Sequence, residues 1–220
     1  MAELIHGLDA ERVRANLDAV RAEIAAACLR AGRDPADVEI LAAVKYVPLD
    51  EVGVLADAGI TLAGENRAQD LVAKQEQWGE RLTFDFIGHL QSRKVRQVLP
   101  HVRLIHSVAS DSVLAQLERH ATPETEVLVE VNVAGEEAKS GVRPGDLDAF
   151  LERCPCRVAG LMTMPPFAED PQESRQWFAG LRALAQERGL RELSMGTTQD
   201  FAVAVEEGAT IVRIGTRLYR

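Results

Sequence analysis

Eight short apolar runs, at residues 38–45, 60–64, 83–88, 102–107, 126–132, 157–162, 192–195 and 210–214, alternate along the chain with seven segments of helical periodicity. Those segments lie near 50–58, 67–79, 91–98, 110–120, 145–153, 171–188 and 199–207. A strand separated from the next by a helix pairs with it in parallel, through a right-handed crossover. Eight such units are also the number that closes a barrel. The rival, an open doubly wound sheet, calls for a Gly-x-Gly-x-x-Gly turn after the first strand, and the sequence has none there. The expected fold is therefore an α/β, (β/α)8 TIM-type barrel, one domain over residues 1–220, with no Pro/Gly/Ser-rich linker dividing it. Residues 1–35 supply an extra amino-terminal helix, in which Val13, Leu17, Val20, Ile24 and Cys28 recur at helical spacing before Gly32 and Asp34-Pro35 stop it.

The formal charge of −9 and a pI near 5.1 argue against nucleic acid or an anionic membrane as partner, since either wants a basic surface. A small anion remains open, because local residues decide that. No apolar run is long enough to span a bilayer. Met1-Ala2-Glu3-Leu4-Ile5-His6 has no basic segment followed by an apolar one, so a cytoplasmic location is expected. Cys28, Cys154 and Cys156 are an odd number, which fits a reducing compartment. Cys154-Pro155-Cys156 lacks the second pair of ligands that a tetrahedral metal needs, and no metal is expected.

A barrel carries its chemistry at the carboxyl ends of its strands. The first run, Ile40-Leu41-Ala42-Ala43-Val44-Lys45-Tyr46, ends on one of only four lysines among twenty-five basic residues. A desolvated amine there loses its proton readily and condenses with an aldehyde, whereas a snorkelling lysine keeps its ammonium in water. The following strand ends bring Glu65 and Asn66, then His89, Gln91 and Ser92, then His106 and Ser107, then Asn132, then Met162 and Thr163. After the last two come Ser194-Met195-Gly196-Thr197-Thr198-Gln199-Asp200 and Arg213-Ile214-Gly215-Thr216. Their glycine, hydroxyls and free amides suit a phosphate, while helix capping by Thr197 or Thr198 is the plainer reading. Arg213 either bonds a carboxylate or faces an aromatic ring nitrogen, which a guanidinium would leave unprotonated. His89 reads as a site residue or a cap, without an acid partner identifiable by spacing. Glu136, Glu137, Lys139 and Ser140 read as a solvated turn or a lid.

Taken in order, Ala43-Val44-Lys45, Gly64-Glu65-Asn66, Phe86-Ile87-Gly88-His89-Leu90-Gln91-Ser92-Arg93-Lys94, Lys139-Ser140-Gly141, Gly160-Leu161-Met162, Ser194-Met195-Gly196 and Val212-Arg213-Ile214-Gly215-Thr216 resemble the YggS/PROSC family of pyridoxal phosphate homeostasis proteins. The resemblance implies a barrel similar to the amino-terminal domain of alanine racemase, with pyridoxal 5′-phosphate (PLP) held as a Schiff base on Lys45. It also implies a cofactor-binding set of Lys45, Asn66, His89, Met162, Ser194, Gly196, Thr198, Arg213, Gly215 and Thr216. In that set Arg213 faces the pyridine nitrogen, and Thr198, Gly215 and Thr216 form the phosphate cup. The function implied is intracellular vitamin B6 and amino-acid homeostasis without efficient catalysis, with PLP-dependent apo-enzymes as recipients. The alternatives are a PLP-dependent amino-acid racemase using Lys45 with His89 or Tyr46, and a barrel phosphate-sugar enzyme forming its Schiff base on Lys45. The chain departs from the family pattern at Thr197-Thr198, where Met-Ser is usual, at Phe84-Asp85, where Trp-His is common, and at Arg93, where asparagine is usual. It also ends at Arg220, short of the family's usual extension.

Overall fold

A computed structural model describes residues 4–136 and 139–220. Helix α1 (Ala10–Ala31) is capped by the Asp9 carboxylate, which accepts the Arg12 amide, and it buries the stripe from Val13 to Cys28 expected from its spacing. Strands β1 (Glu39–Ala43), β2 (Leu62–Glu65), β3 (Thr83–Phe86) and β4 (Leu104–Val108) alternate with helices α2 (Val52–Asp57), α3 (Ala68–Trp78), α4 (Val95–Val98) and α5 (Asp111–His120). Then come β5 (Glu126–Glu130), α6 (Leu147–Glu152), β6 (Arg157–Met162), α7 (Arg175–Glu187), β7 (Glu192–Thr197), α8 (Phe201–Glu206), β8 (Ile211–Ile214) and α9 (Thr216–Tyr219).

Every strand pairs in parallel with its sequence neighbours, and β1 pairs with β8, so the sheet closes in the order β1 to β8. The strands are covered on both faces, which is why they read as nearly continuous apolar runs. Leu41, Leu62, Leu104, Leu128, Met162 and Ile211 fill one interior cluster, and a second, larger core lies between the strands and their helices. α1 lies against α8 and α9, where the Asn16 side-chain amide donates to the carbonyls of Leu218 (3.2 Å) and Arg220 (3.0 Å). Among the described residues no helix is long and apolar enough to cross a membrane.

Some boundaries differ from the sequence reading. β1 ends at Ala43, so Lys45 stands two residues beyond the strand and is half-buried rather than enclosed. The buried lysine is Lys74 of α3, 4% exposed, whose charge is matched by Glu65. The helix expected from 171 begins as a single 3-10 turn, Pro171–Ser174, ahead of α7, and the one expected from 199 begins at Phe201. Glu137, and Met1 to Glu3 of the terminal segment, lie outside the described residues.

Candidate functional site

The carboxyl ends of the strands enclose a cavity of about 670 Å3. Lys45, Asn66, His89, Met162, Thr198 and Arg213 line it, as do Gly215 and Thr216. Ser194 and Gly196 do not: Ser194 is fully buried behind Arg213, and Gly196 shapes the turn behind the wall.

Lys45 is placed by the peptide just before it. The Val44 amide donates to Gly64 (2.9 Å), and the Val44 carbonyl accepts from the ammonium of Lys74 (2.6 Å). That ammonium also donates to Glu65 Oε2 (2.6 Å), while Oε1 accepts the amides of Asn66 (2.6 Å) and Arg67 (3.1 Å). This hydrogen-bonded ion pair fixes the ends of β1 and β2 together, one carrying Lys45 and the other Asn66. Lys45 Nζ lies 4.6 Å from the centroid of the Tyr46 ring, and the Tyr219 hydroxyl closes the wall by donating to the Ala43 carbonyl (3.1 Å). Asn66 Oδ1 is buried on the cavity wall and meets no donor among the described residues. Buried acceptors are ordinarily satisfied, so this atom is open to a donor on a ligand or on a water. Gly88 is required beside it, because a Cβ there would press into the Asn66 backbone.

The β7 and β8 ends make the opposite corner. Gly196, at φ 88°, turns the chain, and a Cβ there would strike Ala204 and Phe201. The Asp200 carboxylate accepts the Thr197 amide (2.7 Å) and hydroxyl (3.1 Å), and Thr198 Oγ1 accepts the Gly215 amide (3.2 Å). Neither threonine caps a helix; Thr198 instead ties the two strand ends together. Among the described residues the Thr198 and Gln199 amides meet no backbone or side-chain acceptor. Hydroxyls and free amides converging without a lysine are suited to a phosphate.

Arg213 bonds no carboxylate among the described residues. Its guanidinium donates to the carbonyl (2.7 Å) and hydroxyl (2.6 Å) of Ser194, to the Thr163 carbonyl (2.9 Å) and to the Met164 sulfur. Burial pushes its pKa down to about 10, against the opposing charges of Asp200 and Glu130, so it remains a cation at neutral pH.

Sequence reasoning placed His106 at a strand end but missed its pairing with Asp85, and it missed Glu130 altogether. Glu130, 8% exposed, faces the cavity and accepts the Ser140 hydroxyl (2.6 Å); its inward register on β5 was the available signal. His106 and Asp85 are wholly buried in the barrel interior, with His106 Nε2 3.1 Å from Asp85 Oδ2. Burial drives the His106 pKa below its ordinary 6.5, although Asp85 opposes it. Burial raises Asp85, yet hydrogen bonds from His106 and Arg103 outweigh that and hold it below 3.8. Both groups make stability fall with acid. As pH falls through 6.5 the unfolded chain takes up a proton on His106 more readily than the folded one, and below 3.8 the Asp85 contribution is lost as pH falls through its folded value. Urea melts between pH 7.5 and 4.5 are expected to show stability falling with acid below pH 6.5, with His106 contributing at most about 1.4 kcal/mol per pH unit. The slope flattens in His106→Gln; an unchanged slope would place the titrating group elsewhere.

A family model described as alanine racemase, N-terminal domain, matches residues 15–220. A pyridoxal phosphate homeostasis protein of Aquifex aeolicus is 41% identical over 217 residues, covering 92% of this chain and 95% of its own. The crystal structure of an unknown protein from Bifidobacterium adolescentis superposes with a TM-score of 0.88 at 34% identity, covering 99% of this chain and 98% of that one. PipY of Synechococcus elongatus, solved with PLP bound, gives 0.80 at 30% identity, covering 94% and 100%.

Proposed function

The chain belongs to the family of pyridoxal phosphate homeostasis proteins, built on the amino-terminal fold of alanine racemase, and from that premise we infer that it binds PLP in the barrel mouth and holds it reversibly on Lys45. One observation carries the reading: a primary amine at the end of β1, a corner of hydroxyls and free amides, and a fixed cation all face a single cavity. When bound, the cofactor supplies an aldehyde that condenses with a primary amine, releasing water, and the linkage is reversed by water or by another amine.

The chain's own groups divide that task. Lys45 presents the amine on a peptide anchored by Lys74. Thr198, Thr216 and the free amides of the β7 turn receive the phosphate. Asn66 Oδ1 accepts a donor from the ring side or its water. Arg213 keeps its proton, so a ring nitrogen presented to it gains a hydrogen bond and no charge. Weak electron withdrawal follows, which suits storage better than carbanion chemistry. The role is intracellular, cytoplasmic balance of vitamin B6 and amino acids, with PLP-dependent apo-enzymes as recipients. The racemase alternative gains no support from His89, which is exposed at the cavity's edge.

The test is direct. Adding PLP to the protein is expected to produce a visible absorption band, and borohydride reduction fixes the added mass on a lysine located by mass spectrometry. No band at micromolar concentrations would overturn the reading and return the phosphate-sugar alternative.

A further inference from the structure

Among the described residues Arg213 is held by no counter-ion but by a line of hydrogen bonds that runs down the barrel interior. It donates to Ser194 Oγ (2.6 Å), which lies 2.9 Å from His106 Nδ1, and His106 Nε2 lies 3.1 Å from Asp85 Oδ2. Asp85 also accepts from Arg103 Nε (3.1 Å) and Arg103 Nη2 (2.8 Å), and Arg103 is held by Glu39 (2.9 Å) at the amino-terminal rim. Only one direction of donation satisfies every member. The guanidinium has no acceptor, so Ser194 Oγ accepts from it and gives its own proton to His106 Nδ1. His106 then carries its proton on Nε2 and gives it to Asp85. A carboxylate at 85 is needed because that position meets three N–H donors, and an amide there would set its own N–H against one of them.

We propose that Asp85 is a positioning residue for the cavity: by holding the His106 proton on Nε2 it leaves Nδ1 to accept the Ser194 hydroxyl proton, which keeps the Ser194 oxygen open to Arg213 and steadies the cation on that wall. The inference rests on the PLP reading only for its ligand. The line itself is a property of the protein alone. The charge pair of Asp85 with Arg103 anchors the far end of the line.

Two measurements test it. In the protein without cofactor, 15N NMR of His106 is expected to show the Nε2–H tautomer alone, and Asp85→Asn is expected to introduce the Nδ1–H form; a single Nε2–H form in both would overturn the proposal whether or not PLP binds. In the PLP-loaded protein a double-mutant cycle reads the affinity and the band position. Asp85→Asn and Ser194→Ala are each expected to weaken PLP binding about tenfold, the factor a hydrogen bond to a charged group commonly carries. Together they should weaken it no more than either alone, because both cut the same line. Additive losses, with melting temperatures falling in step, would mean that Asp85 acts only as structural support and would overturn the proposal.

Discussion

Replacing Lys45 with alanine is expected to abolish the visible band and the borohydride-stable adduct while leaving the fold in place. Lys45 is half-buried beyond the end of β1, and its ammonium lies against the Tyr46 ring, at 4.6 Å. Such a contact at a partly exposed site is worth about 0.5–1 kcal/mol, so the change in unfolding free energy should stay within about 1 kcal/mol. Lys45→Arg separates charge from nucleophilicity. It keeps a cation in the cavity but presents a guanidinium that does not give up its proton, and it should lose the adduct as completely as alanine does. Retention of the band in either variant, or an adduct on Lys139, which also lines the cavity, would move the anchoring role away from Lys45.

Lys74→Met is expected to be the most destabilising of these substitutions. It leaves Glu65, fully buried, without its counter-ion, and frees the Val44 carbonyl as well. Breaking one half of a buried pair costs about 3–5 kcal/mol. In a chain of this length that corresponds to a fall in melting temperature of roughly 6–20 °C. The cost belongs to the stranded charge more than to the lost contact, so Lys74→Met combined with Glu65→Gln should recover part of it. The glutamine side chain would still accept the Asn66 and Arg67 amides through its carbonyl oxygen while carrying no charge. A coupling of at least about 1 kcal/mol in thermal or urea melts is the expected result. A double variant as unstable as the sum of its parts would show that Lys74 acts through packing alone.

The pair also marks where sequence reasoning reached its limit. Lys45 announces itself by closing an apolar run, and the β7 and β8 ends announce theirs through Gly196, Thr198, Gly215 and Thr216. Lys74 sits on a helix whose periodicity says nothing of a charge turned inward, and its partner Glu65 looked like one more polar residue at a strand end. Their meaning appears only when α3 lies against the ends of β1 and β2. His89 drew attention beside its glycine, yet it is exposed; His106 has the acid partner.

By itself the sequence determined the number of strands, their parallel order and the face on which the polar strand ends gather. Those follow from a period of apolar runs and from the short reach of each connection, both local properties of the chain. Which polar groups meet was left to the closed barrel. Ser194 and His106 are 88 residues apart on β7 and β4, strands that do not pair, and they touch because closure turns both side chains into one interior. The strength and direction of such a contact depend on distances of a few tenths of an ångström in a place without water, and those distances are set by strand register and barrel stagger rather than by residue spacing.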